Sequence, residues 1–179
     1  MAGRLEVITG PMFAGKTEEL LRRIERARIA KKTVLLFKPE IDLRYSATEV
    51  VTHNGRRLPC HLLPTSVDWP AFRARIGPEL LSNTDVFAFD EANFFGLAFP
   101  ELCEELVAQG KRVIVAGLDL NFRAEPFGPV PALLALADEV VKLTAVCTVC
   151  GAPATRTQRL LGGKPALNGP EILIGGLET

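Results

Sequence analysis

The eight residues Gly10-Pro11-Met12-Phe13-Ala14-Gly15-Lys16-Thr17 constrain this chain more than any other stretch, because they answer every fixed position of the pattern G-x-x-x-x-G-K-[ST]. The pattern acts only between a strand and a helix, and the flanks supply both. Arg4-Leu5-Glu6-Val7-Ile8-Thr9 reads as a short apolar strand, and residues 17–30 read as an amphipathic helix with Leu20, Leu21, Ile24 and Ala27 on one face. Gly10 and Gly15 let the backbone turn with its N–H groups inward, where they and the positive end of the helix dipole hold phosphate oxygens. Lys16 is expected to reach the outer phosphates, and Thr17 to offer its hydroxyl to Mg²⁺. All eight residues are therefore expected to bind a nucleoside triphosphate.

The charge balance limits the partners. Lys+Arg and Asp+Glu stand at 21 each, so nothing points to an electrostatic grip on nucleic acid or on an anionic membrane, and a small molecule is expected instead. With 47% hydrophobic residues, 179 residues can bury the core of one ordinary domain with a small appendage. No apolar run approaches the roughly 20 residues of a membrane-spanning helix, and no signal-peptide pattern opens the sequence, so a cytoplasmic location is expected. Four cysteines are too few for a disulfide scaffold. Cys147 and Cys150 read as metal-binding or redox-active, and Cys60 and Cys103 as small buried hydrophobes.

Along the chain, Thr33-Val34-Leu35-Leu36-Phe37 is a continuous apolar run that suits a parallel strand covered on both faces, ending at Lys38-Pro39. The following loop carries Asp42 and Arg44. It lies where open α/β sheets bind ligands, which makes both candidate site residues, although each alone is equally an ordinary solvated charge. Asn54-Gly55, between Val50-Val51-Thr52 and Arg57-Leu58, predicts a hairpin leaving the sheet. Residues 69–81 predict one helix started by Pro70.

The strand Val86-Phe87-Ala88-Phe89 runs straight into Asp90-Glu91. Downstream of a phosphate loop, this places Asp90 on Mg²⁺, directly or through water, and Glu91 where it can take a proton from an attacking hydroxyl or water. Residues 100–108 and 111–116 predict a helix and a buried strand. The loop from Gly117 to Gly128 then carries Phe122 and Phe127 at a strand end. Such a loop can clamp a flat base, but on composition alone both rings read more readily as core. Residues 129–137 predict a helix with Leu133, Leu134 and Leu136 inward, and 139–146 the last strand of the main sheet. Cys147-Thr148-Val149-Cys150-Gly151 has zinc-knuckle spacing without a second ligand pair; a half site completed elsewhere and a redox pair both stay open, with the strand-to-turn placement favouring zinc. Residues 155–160 and 171–174 read as two short strands joined through Gly162-Gly163. The expected fold is α/β: a doubly wound, RecA-like P-loop sheet over residues 1–145 and a small β appendage over 146–179.

With these pieces placed, the chain resembles the thymidine kinases of the class found in most bacteria and in the animal cytosol. Gly-Pro-Met-Phe-Ala-Gly-Lys-Thr at 10–17, Asp-Leu-Arg-Tyr-Ser at 42–46, Asp-Glu-Ala-Asn-Phe-Phe at 90–95, Gly-Leu-Asp-Leu-Asn-Phe at 117–122 and Val-Lys-Leu-Thr-Ala-Val-Cys at 141–147 carry the resemblance over nearly the whole chain. It implies transfer of the γ-phosphate of ATP to the 5′-hydroxyl of thymidine. It also implies a structural zinc, a homotetramer and feedback inhibition by thymidine triphosphate. Glu91 corresponds to the general base, Lys16, Thr17 and Asp90 to the phosphate and Mg²⁺ ligands, and Arg44 with Asp42 to phosphate-site residues. Met12, Leu118, Phe122, Thr157 and Arg159 match the thymine pocket. Glu171, Ile172, Leu173, Ile174 and Gly175 are similar to the lasso that closes over the nucleoside. Asn93 stands where the family has Gln, a shorter amide beside the nucleotide. The sequence stops at Thr179, where the family continues with a lasso tyrosine and a second pair of zinc ligands, so a longer natural chain is expected.

Two rivals share some of these features. A RecA-like motor would use Glu91 to activate water, but should present a basic or aromatic nucleic-acid surface, against which the balanced charge argues. A zinc-knuckle binding module with a decayed phosphate loop leaves Lys16, Thr17, Asp90 and Glu91, all intact, without a purpose.

Overall fold

The computed structural model describes residues 2–41, 48–51, 55–166 and 168–169. In chain order these form β1 (Arg4–Thr9), α1 (Lys16–Ile29), β2 (Val34–Pro39), β3 (Glu49–Val51), β4 (Arg57–Pro59), β5 (His61–Leu63), α2 (Trp69–Ile76), α3 (Pro78–Asn83) and β6 (Val86–Phe89). A 3-10 turn (Ala92–Phe94), α4 (Phe99–Ala108), β7 (Arg112–Gly117), α5 (Val130–Leu136), β8 (Glu139–Lys142) and the short strands β9 (Ala145–Val146), β10 (Pro153–Ala154), β11 (Leu160–Leu161) and β12 (Lys164–Pro165) follow.

Six strands make one parallel sheet in the order β5-β2-β6-β7-β1-β8. The chain crosses from β1 leftward to β2, then works back rightward. Right-handed crossovers in opposite directions put their helices on opposite faces. Strand alternation sorts the core accordingly. Ile8, Leu36, Ala88 and Ile114 pack with Leu20, Leu21 and Ile24 of α1, joined by Val50 of the β3–β4 hairpin. Val7, Phe37, Phe87, Phe89 and Val115 face the other way, against Phe72, Phe99, Leu102, Leu106 and Leu133. That second layer is aromatic: the Phe89 ring meets Phe99 edge-on at 5.0 Å, and Phe95 stacks on Phe99 at 4.4 Å.

Several elements differ from expectation. The single helix over 69–81 is two helices, because Pro78 has no N–H to continue α2 and disfavours helical geometry at Gly77 before it. The hairpin forms as β3 with β4, but His61–Leu63 returns to the main sheet as an edge strand beside β2; three residues were too short to show a pattern. Its turn residue Asn54 lies outside the described residues. The strand over 139–146 divides, since β8 pairs with β1 whereas β9 pairs with β10. Residues 155–159 are not a strand, and the Gly162-Gly163 turn instead joins β11 to β12. Leu136 is 42% exposed, because with Leu133 and Leu134 turned to the core the helical step of about 100° carries it to the flank of α5, and Cys60 is only partly buried, whereas Cys103 is fully buried. Among the described residues no helix is long and apolar enough to cross a membrane.

Candidate active site

The sheet places the ends of β1, β7 and β6 side by side, and the phosphate loop, the 117–128 loop and the Asp90-Glu91 pair leave from those ends. Thr9 Oγ1 donates to the Gly117 carbonyl at 2.9 Å, tying the first two together. Gly10 has φ +138°, and a Cβ there would lie 2.4 Å from the Leu143 carbonyl oxygen, so no side chain fits where the loop begins. Gly15, at φ 84°, caps α1. Lys16 Nζ donates to the Pro11 carbonyl at 2.7 Å, which holds the ammonium over the loop.

Thr17 Oγ1 donates to Asp90 Oδ2 at 3.1 Å, reaching across β7 to join the start of α1 to the end of β6. Both are hard oxygen donors, at a distance that suits a shared Mg²⁺. Asp90 is 6% exposed, and its other oxygen accepts the Glu91 N–H at 3.0 Å. Glu91 then turns into the left-handed region, φ 51° and ψ 40°. For a residue with a side chain that conformation costs on the order of 1–3 kcal/mol and recurs at functional sites.

The opposite wall comes from three segments. Met12 N–H donates to Thr157 Oγ1 at 2.9 Å, docking the appendage on the phosphate loop. The Arg159 guanidinium lies 3.9 Å from the Phe122 ring centroid, with Arg123 at 5.0 Å from the same ring. Desolvation, with the like charge of Arg123, lowers the Arg159 pKa. Phe127 is 5% exposed and meets Phe94 edge-on at 6.0 Å. Asn121 pins the intervening turn by accepting the N–H groups of Arg123 and Glu125. Leu118 N–H donates to Asn93 Oδ1 at 2.9 Å.

In the appendage, the backbone N–H groups of Cys150 and Val149, with the Cys150 thiol, point at the Cys147 sulfur and lower its pKa. Gly151 N–H closes the turn onto the Cys147 carbonyl at 2.8 Å. A thiolate held by N–H donors suits zinc, although no group of three or more His, Cys, Asp or Glu side chains converges among the described residues.

The model of the family described as thymidine kinase matches residues 3–179. The chain belongs to the thymidine kinase family. Its reaction is accordingly transfer of the γ-phosphate of ATP to the 5′-hydroxyl of thymidine, in nucleoside salvage. The thymidine kinase of Deinococcus radiodurans is 54% identical over 184 residues, covering 99% of this chain and 85% of that one. The flagellar accessory protein FlaH of Methanocaldococcus jannaschii shares the fold, with a TM-score of 0.51 at 13% identity over 84% of this chain and 74% of that chain.

Of the expected site residues of this thymidine kinase, the phosphate loop, Asp90 and Glu91 meet at one end of the sheet, and Met12, Leu118, Phe122, Thr157 and Arg159 line its flank. Asn93, expected beside the nucleotide, is 2% exposed and binds the Leu118 side. Asp42, Arg44 and Glu171, Ile172, Leu173, Ile174 and Gly175 lie outside the described residues. Phe94 and Arg123 were missed. Phe94 stands inside the Asp-Glu-Ala-Asn-Phe-Phe block, where its neighbour Phe95 is core, and Arg123 carries no motif; its Nη1 donates to the Gly169 carbonyl at 3.4 Å. An open groove of about 540 Å³ bounded by Trp69, Arg73, Leu81 and Glu105 lies among α2, α3 and α4, away from this chemistry.

Proposed function

We propose that Glu91 is the general base of thymidine phosphorylation, with Thr17 and Asp90 holding Mg²⁺, Lys16 on the outer phosphates and Arg44 with Asp42 completing the phosphate site. The observation that carries this reading is the 3.1 Å bond between Thr17 and Asp90 directly before a left-handed Glu91. Glu91 is thereby turned away from the strand direction at the point where the ATP and nucleoside sides meet. Mg²⁺, when bound, neutralises charge on the transferring phosphoryl group. The residues act around it: the backbone N–H groups of residues 13–17 cradle the phosphates, and Glu91 accepts the 5′-hydroxyl proton. ADP release that requires added thymidine tests the transfer reading. Release from ATP and water alone at a comparable rate would instead make Glu91 a hydrolytic base.

The thymine is held between Met12, Leu118 and the Phe122–Arg159 pair, with Phe127, Phe94 and Thr157 behind them and residues 171–175 closing over it. Since Arg159 already covers one face of Phe122, the base packs on the remaining surface of that pair. Phe122→Ala should raise the thymidine KM by the equivalent of about 1–3 kcal/mol of lost stacking, with the ATP KM unmoved. Steady-state kinetics with each substrate varied decides it; an unchanged thymidine KM in a folded variant would leave Phe122 as core.

Cys147 and Cys150 supply two ligands of a structural zinc, supported by the N–H groups gathered on Cys147. Cys147→Ser should lower bound zinc and melting temperature together, because metal binding supplies folding free energy, and spare turnover in the molecules that stay folded. Elemental analysis that found no zinc in the wild-type protein would rule this out.

The division of the sheets at residues 143–144 supports a P-loop domain over 1–145 and a zinc-knuckle and lasso unit over 146–179, and the interposition of β7 between β1 and β6 supports the RecA-like form of the sheet. A cytoplasmic location suits the free thiols of Cys60 and Cys103. By family likeness the enzyme is a homotetramer inhibited by thymidine triphosphate, which sedimentation with and without that nucleotide would test.

A further inference from the structure

Asn93 is 2% exposed, yet only one end of its amide is satisfied. Its Oδ1 accepts the Leu118 N–H at 2.9 Å, while Nδ2 is the buried side-chain polar atom left without a hydrogen-bond partner among the described residues. An apolar side chain of the same size would exchange one unmet donor, Nδ2, for another, the Leu118 N–H, so the amide brings at most the net worth of one neutral hydrogen bond in stability. What it does bring is geometry. The backbone of Asn93 lies directly under both ends of the 117–128 loop: a Cβ on Gly117 would stand 3.2 Å from Asn93 N, and one on Gly128 2.4 Å from its carbonyl oxygen. Gly128 also has φ +53°, so only glycine lets the loop return over Asn93 without strain. Leu118 is where that loop leaves β7, one residue beyond the Gly117 carbonyl that Thr9 holds.

We propose that Asn93 is a positioning residue for nucleoside binding: by fixing the Leu118 N–H it sets the direction in which the 117–128 loop leaves the sheet, and with it the wall that Leu118 and Phe122 present. The inference rests on the reading of those two residues as the thymidine wall. It separates Asn93 from the phosphate side of the site, with which its closeness in the chain to Asp90 and Glu91 would otherwise group it.

The test uses Asn93→Leu, which keeps the volume and removes both the acceptor and the unmet donor, and Asn93→Gln, which keeps an amide carbonyl. Asn93→Leu should melt close to wild type, raise the thymidine KM about tenfold, the scale of one hydrogen bond, and leave the ATP KM unchanged. Hydrogen exchange should show the Leu118 amide losing protection in Asn93→Leu and regaining it in Asn93→Gln, together with thymidine affinity. If Leu118 stays protected in Asn93→Leu, or if both KM values rise together, the proposal fails. Lost protection with an unchanged thymidine KM would overturn it through the wall assignment on which it rests, while the transfer chemistry at Glu91 would stand. Should Asn93→Leu not fold, Asn93→Gln decides alone: a Gln variant with wild-type Leu118 protection but a thymidine KM raised tenfold would sink the proposal.

Discussion

Glu91→Gln should bind ATP and thymidine nearly as well as the parent enzyme and turn them over about 10²–10⁴-fold more slowly, the usual contribution of a positioned general base. The amide keeps the shape and hydrogen-bonding reach of the carboxylate but has no capacity to accept the 5′-hydroxyl proton. Because Thr17, Asp90 and Lys16 are untouched, the loss should fall on kcat with KM little altered. Asp90→Asn should behave differently. It weakens one of two oxygen donors 3.1 Å apart, so raised Mg²⁺ should recover part of its activity, whereas no Mg²⁺ concentration should rescue Glu91→Gln. Glu91→Gln turning over within a few-fold of wild type would remove Glu91 as the base, and Asp42 would be tested next.

The second large effect is expected far from the chemistry. Glu6 is 1% exposed on β1, faces α1, and accepts from Arg112 at 2.7 and 2.9 Å and from Arg23, with Arg4 at 3.1 Å. Burial alone would raise its pKa, but the hydrogen bonds from Arg112 and Arg23 outweigh it and the net shift is downward. Glu6→Gln removes the charge and leaves those guanidiniums facing an amide. Breaking a buried pair costs about 3–5 kcal/mol, and since Arg112 and Arg4 reach water the low end applies. For a chain of this size that is a fall in Tm on the order of 6–12 °C by thermal unfolding, with kcat retained at permissive temperature because Glu6 sits away from the strand ends that carry the chemistry.

The same network sets an acid limit. Glu19 is held at about 2 chiefly by its hydrogen bond from Arg22, against burial, with Arg23 adding to it. Both carboxylates are depressed, so their contribution is complete above the unfolded value of 4.5 and is lost as pH falls from there toward about 2. Unfolding followed against pH should therefore show a shallower acid limb in Glu6→Gln. A variant as stable as wild type at neutral pH would show that the arginines are satisfied without Glu6.

Much of this was legible because the chemistry of the phosphate side is local. The phosphate loop needs glycines at two places, a lysine and a hydroxyl within eight residues, and the acidic pair needs only a strand to end before it; each requirement is met by neighbours in the chain. The apolar runs of β1, β2, β6 and β7 announced a parallel sheet for the same reason, since both faces of each strand are covered. What the sequence by itself could not decide was every contact made between distant segments. That Met12 meets Thr157, that Arg159 lies over Phe122, and that Asn93 holds Leu118 depend on the strand order, in which β7 stands between β1 and β6. The edge strand β5 and the exchange of β9 from the main sheet to β10 were set likewise by which partner edges were free, because two or three residues hold too little periodicity to choose a sheet. Glu91 was already a candidate in the sequence, whereas its left-handed backbone showed only in the structure, and the Thr17 bond that fixes Asp90 beside it exists only once α1 and β6 have been brought together across the sheet.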